Sequence, residues 1–154
     1  MTTRIGIALF DGAEELDWAG PWEVLSFWST MWPDDGVEVF TFAMDDGPIT
    51  CAKGLRVLPD HAFDATPPID VLVYPGGVGT RRQLGDEVLA TWLRDLYDNN
   101  VLMTSVCTGS LVYASAGLLR GRPATTYWAA MDMLTMCSGA MTESHLDLSK
   151  PNAR

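Results

Sequence analysis

Leu102-Met103-Thr104-Ser105-Val106-Cys107-Thr108-Gly109-Ser110-Leu111-Val112-Tyr113-Ala114 reads as strand, sharp turn and helix, with one cysteine on the turn. Apolar residues run up to Cys107, small residues and a glycine follow it, and a helical apolar pattern starts at Leu111. The order predicts a buried strand ending in a nucleophile elbow. Unpaired N–H groups and the dipole at a helix N-terminus favour an anion, so a thiol there is expected to lean toward thiolate. The competing reading is a cysteine that packs as a small hydrophobe. The tight Thr-Gly-Ser context favours the nucleophile.

Strands of the same kind lie upstream. Arg4 to Phe10 is a mostly apolar run ending at Asp11-Gly12, as in a strand buried on both faces of a parallel sheet. Asp70 to Tyr74 is another, and it runs directly into Pro75-Gly76-Gly77-Val78-Gly79. Between them, Val37 to Ala43 alternates as a strand, and Asp45-Asp46-Gly47-Pro48 is a turn. Ile49 to Ala52 and Leu55 to Leu58, split by Lys53-Gly54, form a small antiparallel hairpin. Pro59 to Pro68 carries three prolines and reads as loop.

Helical spacing fills the intervals. Pro21, Val24, Leu25 and Trp28 fall at i, i+3, i+4 and i+7, with Pro21 suited to a first helical turn, which leaves Asp17 between strand and helix. Val88, Leu89, Trp92, Leu93 and Leu96 lie on a second helix closed by Asn99-Asn100. Gly117 to Arg122 is a turn, and Pro123 to Trp128 leads into a last helix through Met136. Alternating strands and helices imply right-handed βαβ units, hence an α/β fold with a parallel sheet covered by helices on both faces. Ligands in such folds bind beyond the carboxyl ends of the strands. Asp17, Gly76-Gly77 and Cys107 all follow such ends.

A chain of 154 residues, 47% hydrophobic, is long enough for one domain with a real core. Lys plus Arg number 10 against 20 Asp plus Glu, for a net charge of −10 that repels nucleic acid and anionic membranes. Three cysteines, Cys51, Cys107 and Cys137, show no CxxC spacing, which disfavours both a disulfide framework and a zinc site and fits a reducing cytoplasm. No apolar run reaches transmembrane length and no signal-peptide pattern opens the chain, so a soluble cytoplasmic protein is expected.

Four stretches together, Leu16-Asp17-Trp18-Ala19-Gly20-Pro21, Tyr74-Pro75-Gly76-Gly77, Ser105-Val106-Cys107-Thr108-Gly109-Ser110 and Ala116-Gly117-Leu118-Leu119-Arg120-Gly121-Arg122, resemble the ThiJ/PfpI superfamily. The elbow and the loop aspartate look most like its isonitrile hydratase group. The resemblance covers residues 4 to 136 and implies a flavodoxin-like sheet. Two departures stand out. Members of the group commonly read Ala-Thr-Thr-His-Trp where this chain has Ala124-Thr125-Thr126-Tyr127-Trp128. Family sequences also continue with a further strand and helix, so 1–141 is expected to be an incomplete family domain and 142–154 a divergent polar tail.

The resemblance implies roles. Cys107 is the expected nucleophile and Asp17 its acid partner; the other reading of Asp17 is a helix-entry acid. An ionised carboxylate beside the thiol raises the cysteine pKa, whereas a protonated one donates to the thiolate, so the carboxyl holds the proton when the sulfur is anionic. Gly76 and Gly77 are expected to bring backbone N–H groups to developing charge, or simply to make a tight turn. Thr108 is expected to cap the helix, with orientation of water or substrate as a second role. Only His61 and His145 exist, both expected at the surface, so a Cys-His dyad lacks its base. The six tryptophans are expected mostly in the core or at an interface, and Cys51 and Cys137 as inert packing.

The implied activity is hydration of an isocyanide to an N-substituted formamide through a Cys thioimidate, on a small-molecule substrate, with no metal and no cofactor, in a homodimer. The alternatives are a non-catalytic sensing domain of the AraC-regulator type, a redox or glyoxalase-like protein using Cys107, and a truncated product without function.

Overall fold

The first strand, β1 (Thr3–Ala8), sends Ile5 and Ile7 to one side and Gly6 and Ala8 to the other, and this parity sorts the whole molecule. The computed structural model describes residues 2–138, 141 and 142. After β1 come α1 (Glu15–Met31), β2 (Val37–Ala43), the short pair β3 (Ile49–Thr50) and β4 (Arg56–Val57), and β5 (His61–Ala62). Then follow β6 (Val71–Tyr74), α2 (Thr80–Gln83), α3 (Glu87–Asp98), β7 (Leu102–Ser105) and α4 (Gly109–Ser115). The described chain closes with β8 (Pro123–Ala124), α5 (Met131–Ser138) and β9 (Met141–Thr142).

Five parallel strands form the main sheet in the order β5-β2-β1-β6-β7. Odd positions of β1 and β2 (Ile5, Ile7, Val37, Val39) and Val71 and Val73 of β6 pack with Trp18 and Leu25 of α1. Even positions (Ala8, Phe40, Phe42, Leu72, Tyr74) pack with Leu89 and Leu93 of α3 and with Val112 and Tyr113 of α4. Helices therefore cover both faces. The chain runs outward from β1 to β2 and returns to β6 on the other side of β1, which opens a crevice at the carboxyl ends of β1 and β6.

Several local expectations are corrected. Helix α1 begins at Glu15, not at Pro21, because Glu14 is already the N-cap and the Asp17 amide closes the first turn on its carbonyl at 3.1 Å. Pro21 is thus inside the helix and has no N–H to offer the carbonyl of Asp17, four residues back. The inward face is consequently Trp18, Pro21, Leu25 and Ser29, while Val24 and Trp28 are exposed; the Trp28 indole donates to Asp35 at 2.7 Å. Of the six tryptophans, Trp18 is buried and Trp92 packs against the core, while Trp22, Trp28, Trp32 and Trp128 are exposed on the single chain.

Strand β7 is not buried on both faces. It is an edge of the described sheet with Leu102 60% exposed. The proline-rich stretch is not all loop either, since β5 pairs with the end of β2 there, and His61 meets Phe40 edge-on at 5.3 Å. The predicted hairpin is present as β3 and β4, with Ile49 opposite Val57. Thr142 of β9 pairs with Ala124 of β8, and residues 143–154, which hold His145 and the rest of the expected tail, lie outside the described residues. No described helix is long and apolar enough to cross a membrane.

Leu93 is fully buried between α3 and the sheet, whereas Val88 on the same helix is 71% exposed. Leu93→Ala is expected to lower unfolding free energy by about 2–5 kcal/mol and Val88→Ala to leave it within about 0.5 kcal/mol, read from urea denaturation.

Candidate functional site

Three loops meet beyond the carboxyl ends of β1, β6 and β7, and backbone bonds tie the first two together. The Glu14 amide donates to Gly76 O at 2.9 Å and the Gly79 amide to Gly12 O at 3.1 Å. The approach is close enough to require glycine at Gly77, where φ is +122° and a Cβ would lie 2.3 Å from Gly12 O. This contact seats the first turn of α1 against the loop after β6. Asp17 rides on that turn, and its Oδ2 accepts the Gly76 N–H at 3.1 Å.

The third loop is the elbow. The Val106 amide donates to Tyr74 O at 3.0 Å, continuing the β6–β7 pairing, and the Gly109 amide returns to Val106 O at 2.9 Å. Cys107 sits between them at φ +53°, a left-handed conformation that is sterically costly for a residue with a side chain. A Cβ on Gly109 would lie 2.2 Å from Tyr74 O, so only glycine lets the helix start so near the strand. Thr126 donates its hydroxyl to Cys107 O at 2.9 Å, holding the elbow from the chain before α5.

All five predicted residues come together here. Gly76 is packed so tightly that a Cβ would meet Thr108 N at 2.5 Å and Asp17 Oδ2 at 2.8 Å. Two expectations change. The Gly76 and Gly77 amides are not open to a ligand, because Gly76 donates to Asp17 and Gly77 donates to Thr108 Oγ1 at 3.0 Å. Thr108 does not cap α4 with its hydroxyl; the side chain turns instead toward Gly77, Thr80 Oγ1 at 3.3 Å and Arg81 Nη1 at 3.3 Å. Thr80 and Arg81 were invisible to sequence reasoning, since a threonine and an arginine after a glycine turn carry no signature. Thr126 carries no signature either, since its role rests on a backbone carbonyl nineteen residues away.

Burial and mutual repulsion set the acidities. Burial pushes the Asp17 carboxyl up; the Gly76 N–H opposes this and the charge of Glu14 adds to it. Burial likewise pushes the Cys107 thiol up, reinforced by the charge of Asp17 and only partly offset by the Thr108 N–H. The expectation of a thiolate-leaning cysteine is therefore overturned: desolvation and the neighbouring carboxylate outweigh the amide at the start of α4. The two side chains share a hydrogen bond that lowers the Asp17 pKa and raises that of Cys107, as a thiol S–H donating to a carboxylate must. The carboxylate thus makes the thiol harder to ionise, and the thiol stays the protonated partner as pH rises through the ordinary cysteine range.

Other candidates lie elsewhere. His61 is on β5, the sheet edge opposite β7. Cys51 is buried against the α1 face of the sheet, and Cys137 packs against the α4–α5 cluster. Among the described residues no cluster of three or more His, Cys, Asp or Glu side chains is arranged to hold a metal ion.

Residues 3–146 match the model of the DJ-1/PfpI family. An isonitrile hydratase of Pseudomonas putida is 40% identical over 134 residues, which is 87% of this chain and 56% of that protein. The chain therefore spans little more than half of that relative. The HTH-type transcriptional regulator CdhR of Pseudomonas aeruginosa is 37% identical over 105 residues, 68% of this chain and 29% of the regulator. A crystal structure of a ThiJ/PfpI family protein from Pseudomonas syringae superposes with a TM-score of 0.77 at 29% identity, covering 94% of this chain and 58% of that one.

Because Cys107 is held neutral, its alkylation by iodoacetamide should accelerate only above the ordinary cysteine range. Asp17→Asn removes the repelling charge and should move the inflection to lower pH. The linked stability has the same sign: the unfolded chain loses its thiol proton first, so the contribution falls as pH rises from the unfolded toward the folded pKa. An inflection that Asp17→Asn leaves unmoved or raises would refute the coupling.

Proposed function

The chain belongs to the DJ-1/PfpI family, and from that premise we propose that it acts as an isonitrile hydratase-like enzyme on a small-molecule isocyanide, as a homodimer. The observation that carries the proposal is the packing of Gly76 between the Asp17 carboxylate and the Thr108 amide, which sets an acid beside the Cys107 elbow.

Isocyanide hydration uses that inventory. The terminal carbon of R–N≡C must gain a proton and a nucleophile, and the resting pair supplies both. Asp17 takes the thiol proton and passes it to carbon while sulfur bonds to the same carbon, giving the thioimidate R–N=CH–S–Cys107. Water adds across the C=N bond, with a proton to nitrogen. The tetrahedral adduct expels the thiolate, which recovers a proton from the hydroxyl, and R–NH–CHO leaves. Atoms balance as isocyanide plus water. Thr108, Thr80 and Arg81 hold the Gly76–Gly77 turn on which Asp17 rests, so they position the acid.

The regulator relative supports a second reading, in which the same pair lines a sensing pocket without turnover. Formamide release from a simple alkyl isocyanide, followed by NMR, separates the two. The wild type is expected to turn over, Cys107→Ala to lose turnover entirely, and Asp17→Asn to lose about 10²–10⁴-fold in kcat. A folded wild type that forms no formamide would overturn the hydratase reading. Saturable isocyanide binding without product would support the sensing one.

A further inference from the structure

A cavity of about 270 Å³ lies beyond the ends of β1, β2 and β6 on the α3 side of the sheet, and none of Cys107, Asp17, Gly76 or Thr108 lines it. Its walls are aromatic. Phe10 stacks on Tyr74 with centroids 5.7 Å apart on one side. On the other, Trp92 meets Phe42 at 5.8 Å and Phe63 at 4.8 Å. Tyr74 and Phe42 are buried, so these are fixed surfaces and not mobile side chains.

The charge at its rim has one sign. Asp11, Asp45 and Asp86 line the cavity, and no Lys or Arg does. Asp86 Oδ1 accepts the Val88 and Leu89 amides at the start of α3, and Asp11 Oδ1 accepts the Thr50 amide at 2.7 Å. That leaves the second oxygen of each carboxylate without a donor among the described residues. Arg82, which does not line the cavity, donates to the Asp11 backbone carbonyl at 2.7 Å.

We propose that this cavity is a second ligand site, and that its ligand is a small organic cation of the alkylammonium class. Ring faces carry negative potential and attract a cation within a few ångström, while their apolar surface takes up the alkyl groups. Anions are repelled by the three carboxylates. A bare metal ion would gain nothing from the aromatic walls, and a neutral ligand would leave the carboxylates unused. The site does not depend on turnover at Cys107.

Tetramethylammonium is the probe and tert-butanol its neutral counterpart, titrated calorimetrically at constant ionic strength. One saturable site per chain is expected for the cation, about tenfold or more tighter than for the alcohol. The Asp45→Asn/Asp86→Asn double variant keeps an amide oxygen to cap α3 and should weaken the cation about fivefold or more. Trp92→Leu should weaken it similarly, with circular dichroism confirming the fold, and Cys107→Ser should bind as wild type does. No saturable binding, equal binding of the alcohol, an unaffected double variant, or loss in Cys107→Ser would each overturn the proposal.

Discussion

The hydroxyl of Thr108 is the knot of this molecule's loop layer. It is buried, and it accepts the Gly77 amide while meeting the Thr80 hydroxyl and the Arg81 guanidinium. Through it the elbow after β7 is bound to the turn after β6. That turn is bound in its own right to the loop after β1, and Gly76 completes the circuit to Asp17. A threonine without its hydroxyl here would strand a buried amide, at a cost of about 1–3 kcal/mol, and would loosen two loops at once. One oxygen thus sets the separation of an acid and a thiol that lie ninety residues apart in the chain.

Sheet topology explains why there is room for chemistry at this end. Helix α1 leaves β1 toward one face and α3 follows β6 on the other, so among the described residues no helix covers the crevice between the two strands. The cysteine and the aromatic cavity both open from that end of this flavodoxin-like sheet. They differ in polarity because different strand positions end there: glycines and an acid at one, Phe10, Phe42 and Tyr74 at the other.

Much of this was legible. Continuous apolar runs marked β1 and β6, because a parallel sheet buries both sides of its inner strands, alternation marked β2, and the elbow after β7 showed as a change of period around Cys107. What failed shares a cause. The start of α1, the outward turn of Val24 and Trp28 and the edge status of β7 depend on which partner lies opposite a residue, and periodicity reports only which residues share a face. The engaged Gly76 and Gly77 amides were hidden for the same reason: a glycine pair signals a close approach without saying what approaches. The acidity of Cys107 is not legible in the chain, because a helix start is visible in sequence whereas desolvation and the neighbouring carboxylate of Asp17 arise only on folding.

The left-handed backbone of Cys107 has a bearing on how such a chain evolves. A non-glycine residue in that region stores about 1–3 kcal/mol, a sizeable share of the margin by which small domains stay folded. Glycine at position 107 would release it, so drift under selection for stability alone runs toward discarding the thiol. A lineage that keeps the cysteine is under selection for something other than folding. A descendant that had given it up would be a sturdier protein with the same architecture and none of the reactivity.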